Sequence, residues 1–134
     1  MTWARFALTV LSSGIVSSLS DWFFMGDWLY KRYDQHPEIW RYPGGEGESK
    51  AIAWASPFPF LTCAFFALVC HRLQLHQYSS ALKLALAVWL ACPLPLIVTN
   101  ALFIRMQPVI AAAHSLGWLV KLIVAAAATI LILG

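Results

Sequence analysis

The stretch VIAAAHSLGWLVKLIVAAAATILIL, residues 109–133, decides the fold: it runs 25 residues with one formal charge, Lys121, and no proline. A helix needs about 20 predominantly apolar residues to cross a hydrocarbon layer roughly 30 Å thick, and this segment supplies them. Working outward, Arg105-Met106-Gln107-Pro108 reads as a tight turn. Pro108 suits the first helical turn, where its missing N–H has no partner to lose. Before that turn, residues 81–104 form a second apolar run, and 51–70 and 6–29 form two more. A short polar connector, His71 to Ser80, separates two of the runs. The segment 30–50 is the one sizeable loop, with four bases, four acids, Pro37 and Pro43-Gly44-Gly45.

These runs predict an all-α transmembrane bundle of four helices, residues 1–134 forming a single integral membrane domain. They are continuous, and they lack the alternation of a lipid-facing barrel strand. Composition agrees. Of 134 residues, 60% are hydrophobic and 11% charged, with a mean hydropathy of +0.70. A soluble domain carries about a quarter charged residues, so the partner of this surface is the lipid bilayer. The formal charge of +3 is too small to argue for nucleic acid and suits anionic headgroups only weakly. Trp3, Trp28, Trp40 and Trp54, with Tyr30, Tyr33 and Tyr42, fall near span ends, where an interfacial aromatic belt belongs. Tyr33, Ile39, Trp40 and Tyr42 should also anchor the 30–50 loop, partly ordered, at the membrane surface.

Arg5 and the apolar run ending in Ser18-Leu19-Ser20 faintly resemble a signal peptide. Apolar character resumes at Trp22 and continues to Tyr30, so the segment is read as an uncleaved first span. Pro57, Pro59, Pro93 and Pro95 fall inside the second and third spans and predict kinks there. Bases divide five to three: Lys31, Arg32, Arg41, Lys50 and Arg105 on the long-loop side against Arg5, Arg72 and Lys83. That split leans toward a cytoplasmic long loop.

Cys63, Cys70 and Cys92 form no CxxC pair and sit in apolar runs, as small core residues do. No metal site is expected. His36, His71 and His76 read as loop residues. No haem-attachment motif, phosphate-binding loop, nucleophile elbow or HExxH motif is present, and no cofactor is expected.

Ionisable groups inside spans are costly, so each is a functional candidate. Helical spacing puts Gly14, Ser17, Ser18, Asp21, Met25 and Trp28 on one face of the first span. Gly14 and Ser18 form a small-xxx-small pair that admits a close neighbour. In the last span His114, Gly117, Trp118 and Lys121 share a face; in the third, Pro93, Ile97 and Asn100 do. Asp21, Ser56, Asn100 and His114 all fall roughly 6–12 Å inside the long-loop side, one from each helix. Lys121 lies about two turns deeper, and its flexible stem can carry its charge toward Asp21. Asp21, Asn100 and His114 are therefore expected to meet in one polar site, with Lys121, Trp28 and Ser56 as further binding candidates. The same residues also suit a purely structural role, with Asn100 and His114 as hydrogen-bonded helix glue worth about 1 kcal/mol each and Asp21–Lys121 as a structural ion pair.

The first span ends in Trp22-Phe23-Phe24-Met25-Gly26-Asp27-Trp28 and is followed by a polar loop and three more spans. With Thr99-Asn100-Ala101-Leu102-Phe103 in the third span and His114 early in the fourth, most of the chain is similar to the small four-helix membrane proteins labelled domain of unknown function seventeen-sixty-one. The resemblance implies a bacterial-type multi-pass protein, hence the inner (plasma) membrane, and no established activity.

Three functions remain open at this level. The first is binding or transport of a small molecule or ion. Four helices leave little room to enclose a path, so this reading expects a homo-oligomer. The second is a membrane-embedded enzyme acting on a small lipophilic ligand, with Asp21 and His114 as acid and base and Asn100 as orienting donor. The third is a structural or accessory subunit. An open pocket against Asp21 favours the first two, and tight packing there favours the third. In all three, an even number of spans puts both termini on one side. Cysteine-accessibility labelling should find them so, and labelling from opposite faces would refute the four-span topology.

Overall fold

The computed structural model describes residues 2–29, 31, 41–42 and 45–134. The anchors expected at Tyr33, Ile39 and Trp40 lie outside these residues. Described residues form helices and no strand. Four helical spans, Trp3–Trp28, Glu48–Arg72, Tyr78–Phe103 and Pro108–Leu133, are each 25 or 26 residues long and apolar enough to cross a membrane. At about 1.5 Å per residue each exceeds the hydrocarbon thickness.

The first span comprises α1 (Trp3–Asp21) and a π-helical turn, Trp22–Trp28. It starts earlier than Phe6 because the Thr2 hydroxyl caps it, accepting from the Arg5 N–H at 3.4 Å. The second span comprises α2 (Glu48–Ala55) and α3 (Phe58–Arg72), and the third α4 (Tyr78–Ala91) and α5 (Pro93–Phe103). The last is α6 (Pro108–Leu133), unbroken. The four inner prolines act as expected, and the effect is a break. Pro57 lies in the gap between α2 and α3, and Pro59 in the first turn of α3. Pro93 opens α5, with Pro95 two residues on. In a first turn the missing N–H breaks no bond, so each pair of prolines marks one boundary between two helices.

Helix α6 is the centre of the bundle, packing against α1, α3, α4 and α5. Its buried face is built largely from small residues, including Ala113, Ser115, Gly117, Ala125 and Ala126. Ala125, Ala126 and Leu122 meet Cys63, Phe66 and Cys70 of α3 and Ala81 and Ala85 of α4 in one core cluster. The Trp89 indole N–H donates to the Ser115 carbonyl at 2.9 Å, tying α4 to α6. Several hydroxyls bond within their own helices, while the buried Ser20 and Ser115 hydroxyls have no hydrogen-bond partner among the described residues. Thr9, Ser13, Ser18 and Thr129 donate to carbonyls four residues back, at 2.6–2.9 Å.

The outer surface carries the opposite character. Trp3, Leu102, Phe103 and Leu131 are each more than three-quarters exposed, as are many other large apolar side chains in part. Such a surface is stable only where the surrounding solvent is lipid. The chain is an integral membrane protein.

Helix α2 stands apart from this packing. It makes no substantial contact with the other helices, and Ile52 and Trp54 are exposed. Pro57 marks the boundary between α3, which packs on α1 and α6, and α2, which does not.

Gly14 of α1 takes the Phe60 ring of α3 directly against its backbone. A Cβ there would overlap the Phe60 ring of α3. Gly14→Leu should therefore cost about 1–3 kcal/mol by overpacking, read as a lower Tm in detergent. Gly14→Ala combined with Phe60→Leu should keep most of the stability. An unchanged Tm for Gly14→Leu would contradict the close approach.

Candidate functional site

Asp21 is the last α-helical residue of the first span, and the chain then widens into the π-helical turn. The Leu29 N–H donates to the Phe24 carbonyl, five residues back, at 3.3 Å. Each such bond takes one residue more than an α-turn, so side chains beyond Asp21 rotate off the face that α-helical spacing assigns them. Met25 and Gly26 line the cleft described below. Trp28 does not; its ring packs on Phe24, with centroids 6.1 Å apart.

The Lys121 ammonium of α6 lies 2.7 Å from Asp21 Oδ2, with 7% of the lysine side chain and 27% of the aspartate side chain exposed. The same ammonium lies over the Trp118 ring, 4.5 Å from its centroid. Trp118 precedes Lys121 by one helical turn, so both project from one face of α6. An aromatic face stabilises a desolvated cation by about 2 kcal/mol. The lysine is thus held by a carboxylate from another helix and a ring from its own.

Beside this pair opens a cleft of about 660 Å³ between α1, α2 and α6. Asp21, Lys121 and Trp118 are on its wall, Glu48 and Ser56 are contributed by the second span, and Phe60 and Pro59 come from the start of α3. The rest is apolar. The cleft lies where α2 makes no substantial contact with the other helices, and Gly26 and Ala55 put little volume into it. A second cavity of about 440 Å³, almost wholly apolar, surrounds the Cys92–Pro93 break. Trp118 borders both cavities.

The sequence-derived candidates thus separate. Asp21, Lys121 and Ser56 share the cleft. The Ser56 hydroxyl donates to the Ile52 carbonyl at 2.7 Å. His114 and Asn100 are half-buried and do not line it. His114 sits about two turns before Lys121 on α6, within reach of the Asp21 charge. Asn100 is carried by α5, which packs on α4 and α6 without substantial contact with α1. Its side chain makes no hydrogen bond to another described residue. Glu48 and Phe60 were not among the candidates. Glu48 reads as a loop acid until α2 is seen to begin there, and Phe60 carries no chemical signal in an aromatic-rich run.

No protein-family profile, curated protein or solved structure matches the chain. Fold and cleft define a four-span α-helical membrane protein with a charged pair on the wall of an intramembrane cleft.

Removing one partner of a buried pair leaves the other uncompensated, at a cost of roughly 3 kcal/mol. Asp21→Leu and Lys121→Met should each lower stability by about that amount. The double variant should be far less destabilised than the sum, because two apolar groups need no partner. Unfolding in mixed micelles checks this as a double-mutant cycle; purely additive losses would show that the charges do not act as a pair.

Proposed function

We propose that the chain binds a small membrane-partitioned molecule in the cleft between α1, α2 and α6, as a carrier or binding protein. The observation that carries this reading is the open space against Asp21. A structural ion pair is best served by close packing on every side, since water or empty volume beside it weakens its partnership. Here the pair instead borders a cleft large enough for a ligand, apolar except for a few convergent polar groups, which is the usual character of a small-molecule site. Because α2 stands off the bundle, a ligand dissolved in the bilayer can reach Asp21 sideways.

Transport through so small a bundle requires more than one copy, so the working form in this reading is a homo-oligomer. Its location is the inner membrane of a bacterial-type cell, following the family resemblance. Asp21, paired with Lys121, orients the polar end of the ligand, Ser56 and Trp118 border it, and the apolar wall takes the remainder.

Native mass spectrometry of gently extracted protein tests the reading, because it reports protomer count and retained small molecules together. The wild-type protein should carry a small-molecule adduct. Ala55→Trp, which fills the cleft from an exposed helix without touching the ion pair, should lose it while remaining folded. Adducts unchanged by Ala55→Trp, or bare protein in both cases, would contradict the proposal.

A further inference from the structure

We propose that the ligand of this cleft is a lipophilic monocation, such as an organic ammonium or phosphonium, and that the Lys121 ammonium is its built-in competitor. The inference rests on reading the cleft as a ligand site and names what that site selects.

Charge on the cleft wall is the first ground. Among the described residues, the ionisable groups lining it are Asp21, Glu48 and Lys121. At their formal charges these three described residues sum to −1. In a largely apolar enclosure an uncompensated charge is costly, and an occupant bearing one positive charge removes the imbalance. A neutral occupant leaves it, and an anion doubles it.

The second ground is the surroundings of Lys121. Its ammonium is held between a carboxylate at 2.7 Å and the face of Trp118 at 4.5 Å. A carboxylate and an aromatic face together form the environment in which proteins hold organic cations. The lysine thus marks the cation position from inside the protein. Trp22 and Phe60 add further aromatic surface to the same wall. They suit a cation whose charge is spread beneath an apolar body, because such an ion gives up little hydration on leaving water. A small, strongly hydrated metal ion finds no such match.

The third ground is that the two acids come from different helices and differ in their partners. Asp21 is already engaged by Lys121. Glu48 comes from a different helix, in the first turn of α2. An arriving cation meets Glu48 without displacing anything, and reaches Asp21 only by replacing the lysine. Exchange of this kind makes affinity depend on Lys121 in an unusual direction: removing the lysine strengthens binding.

The test is equilibrium binding of radiolabelled tetraphenylphosphonium to purified protein in phosphatidylcholine nanodiscs, with empty nanodiscs subtracted. Tetraphenylborate and triphenylphosphine oxide serve as anionic and neutral counterparts. The wild-type protein should bind the cation and neither counterpart. Glu48→Gln, on a different helix from either member of the ion pair, should weaken binding several-fold. Lys121→Gln should tighten it by about tenfold, the scale of one charge-assisted contact. Ala55→Trp should abolish it. Equal or stronger binding of the neutral or anionic probe, still blocked by Ala55→Trp, would overturn the monocation while leaving the cleft as a ligand site. Unchanged affinity in Glu48→Gln, or weaker binding in a folded Lys121→Gln protein, would also overturn it. No binding of any of the three probes would remove both this inference and the reading beneath it.

Discussion

A charge in the middle of a membrane helix has to be answered by a neighbouring helix, and in this protein Lys121 of α6 is answered by Asp21 of α1. Placing a lysine or aspartate at a helix centre costs about 2.5–3.5 kcal/mol on insertion. The 2.7 Å contact converts two such costs into one shared interaction and fixes how α1 lies against α6. Small residues complete the arrangement. Gly14, Ser17 and Gly117 are buried between helices, so backbones approach closely and the lysine stem is long enough to reach across.

Two departures from ideal helix shape accompany the cleft beside this contact. The π-helical turn after Asp21 swings Trp28 away and leaves Met25 and Gly26 on the cleft. Pro57 marks the boundary of α2, which makes no substantial contact with the other helices. An α-helical continuation of the first span would keep Trp28 on the same face as Asp21. Widened turns and proline breaks each forfeit hydrogen bonds or packing, and in membrane helices they are tolerated where they border a cavity.

The fold was legible because one property, apolar run length, dominates it. Prolines at 57, 59, 93 and 95 also announced where helices would be interrupted. The Asp21–Lys121 contact followed from spacing plus the reach of a lysine stem. Three features were not legible. A π-turn leaves no mark in residue periodicity, so Trp28 was assigned to the Asp21 face. The position of α2 depends on what it fails to touch, which no local pattern records, so Glu48 read as part of a loop. Depth along the membrane put Asp21, Asn100 and His114 in one layer, but depth does not say which helices are neighbours. Asn100 rides on α5, and α5 packs against α4 and α6.

The account rests on direct contact between Lys121 and Asp21 in a lipid bilayer, beside an accessible cleft. Solid-state nuclear magnetic resonance can read that contact as the dipolar coupling between ¹⁵N-labelled Lys121 Nζ and the ¹³C-labelled Asp21 carboxyl carbon. An Nζ–Oδ2 separation of 2.7 Å predicts a strong, readily measured coupling that disappears in Asp21→Asn. A Lys121 ammonium with no coupling to the Asp21 carboxyl would contradict the account at its root.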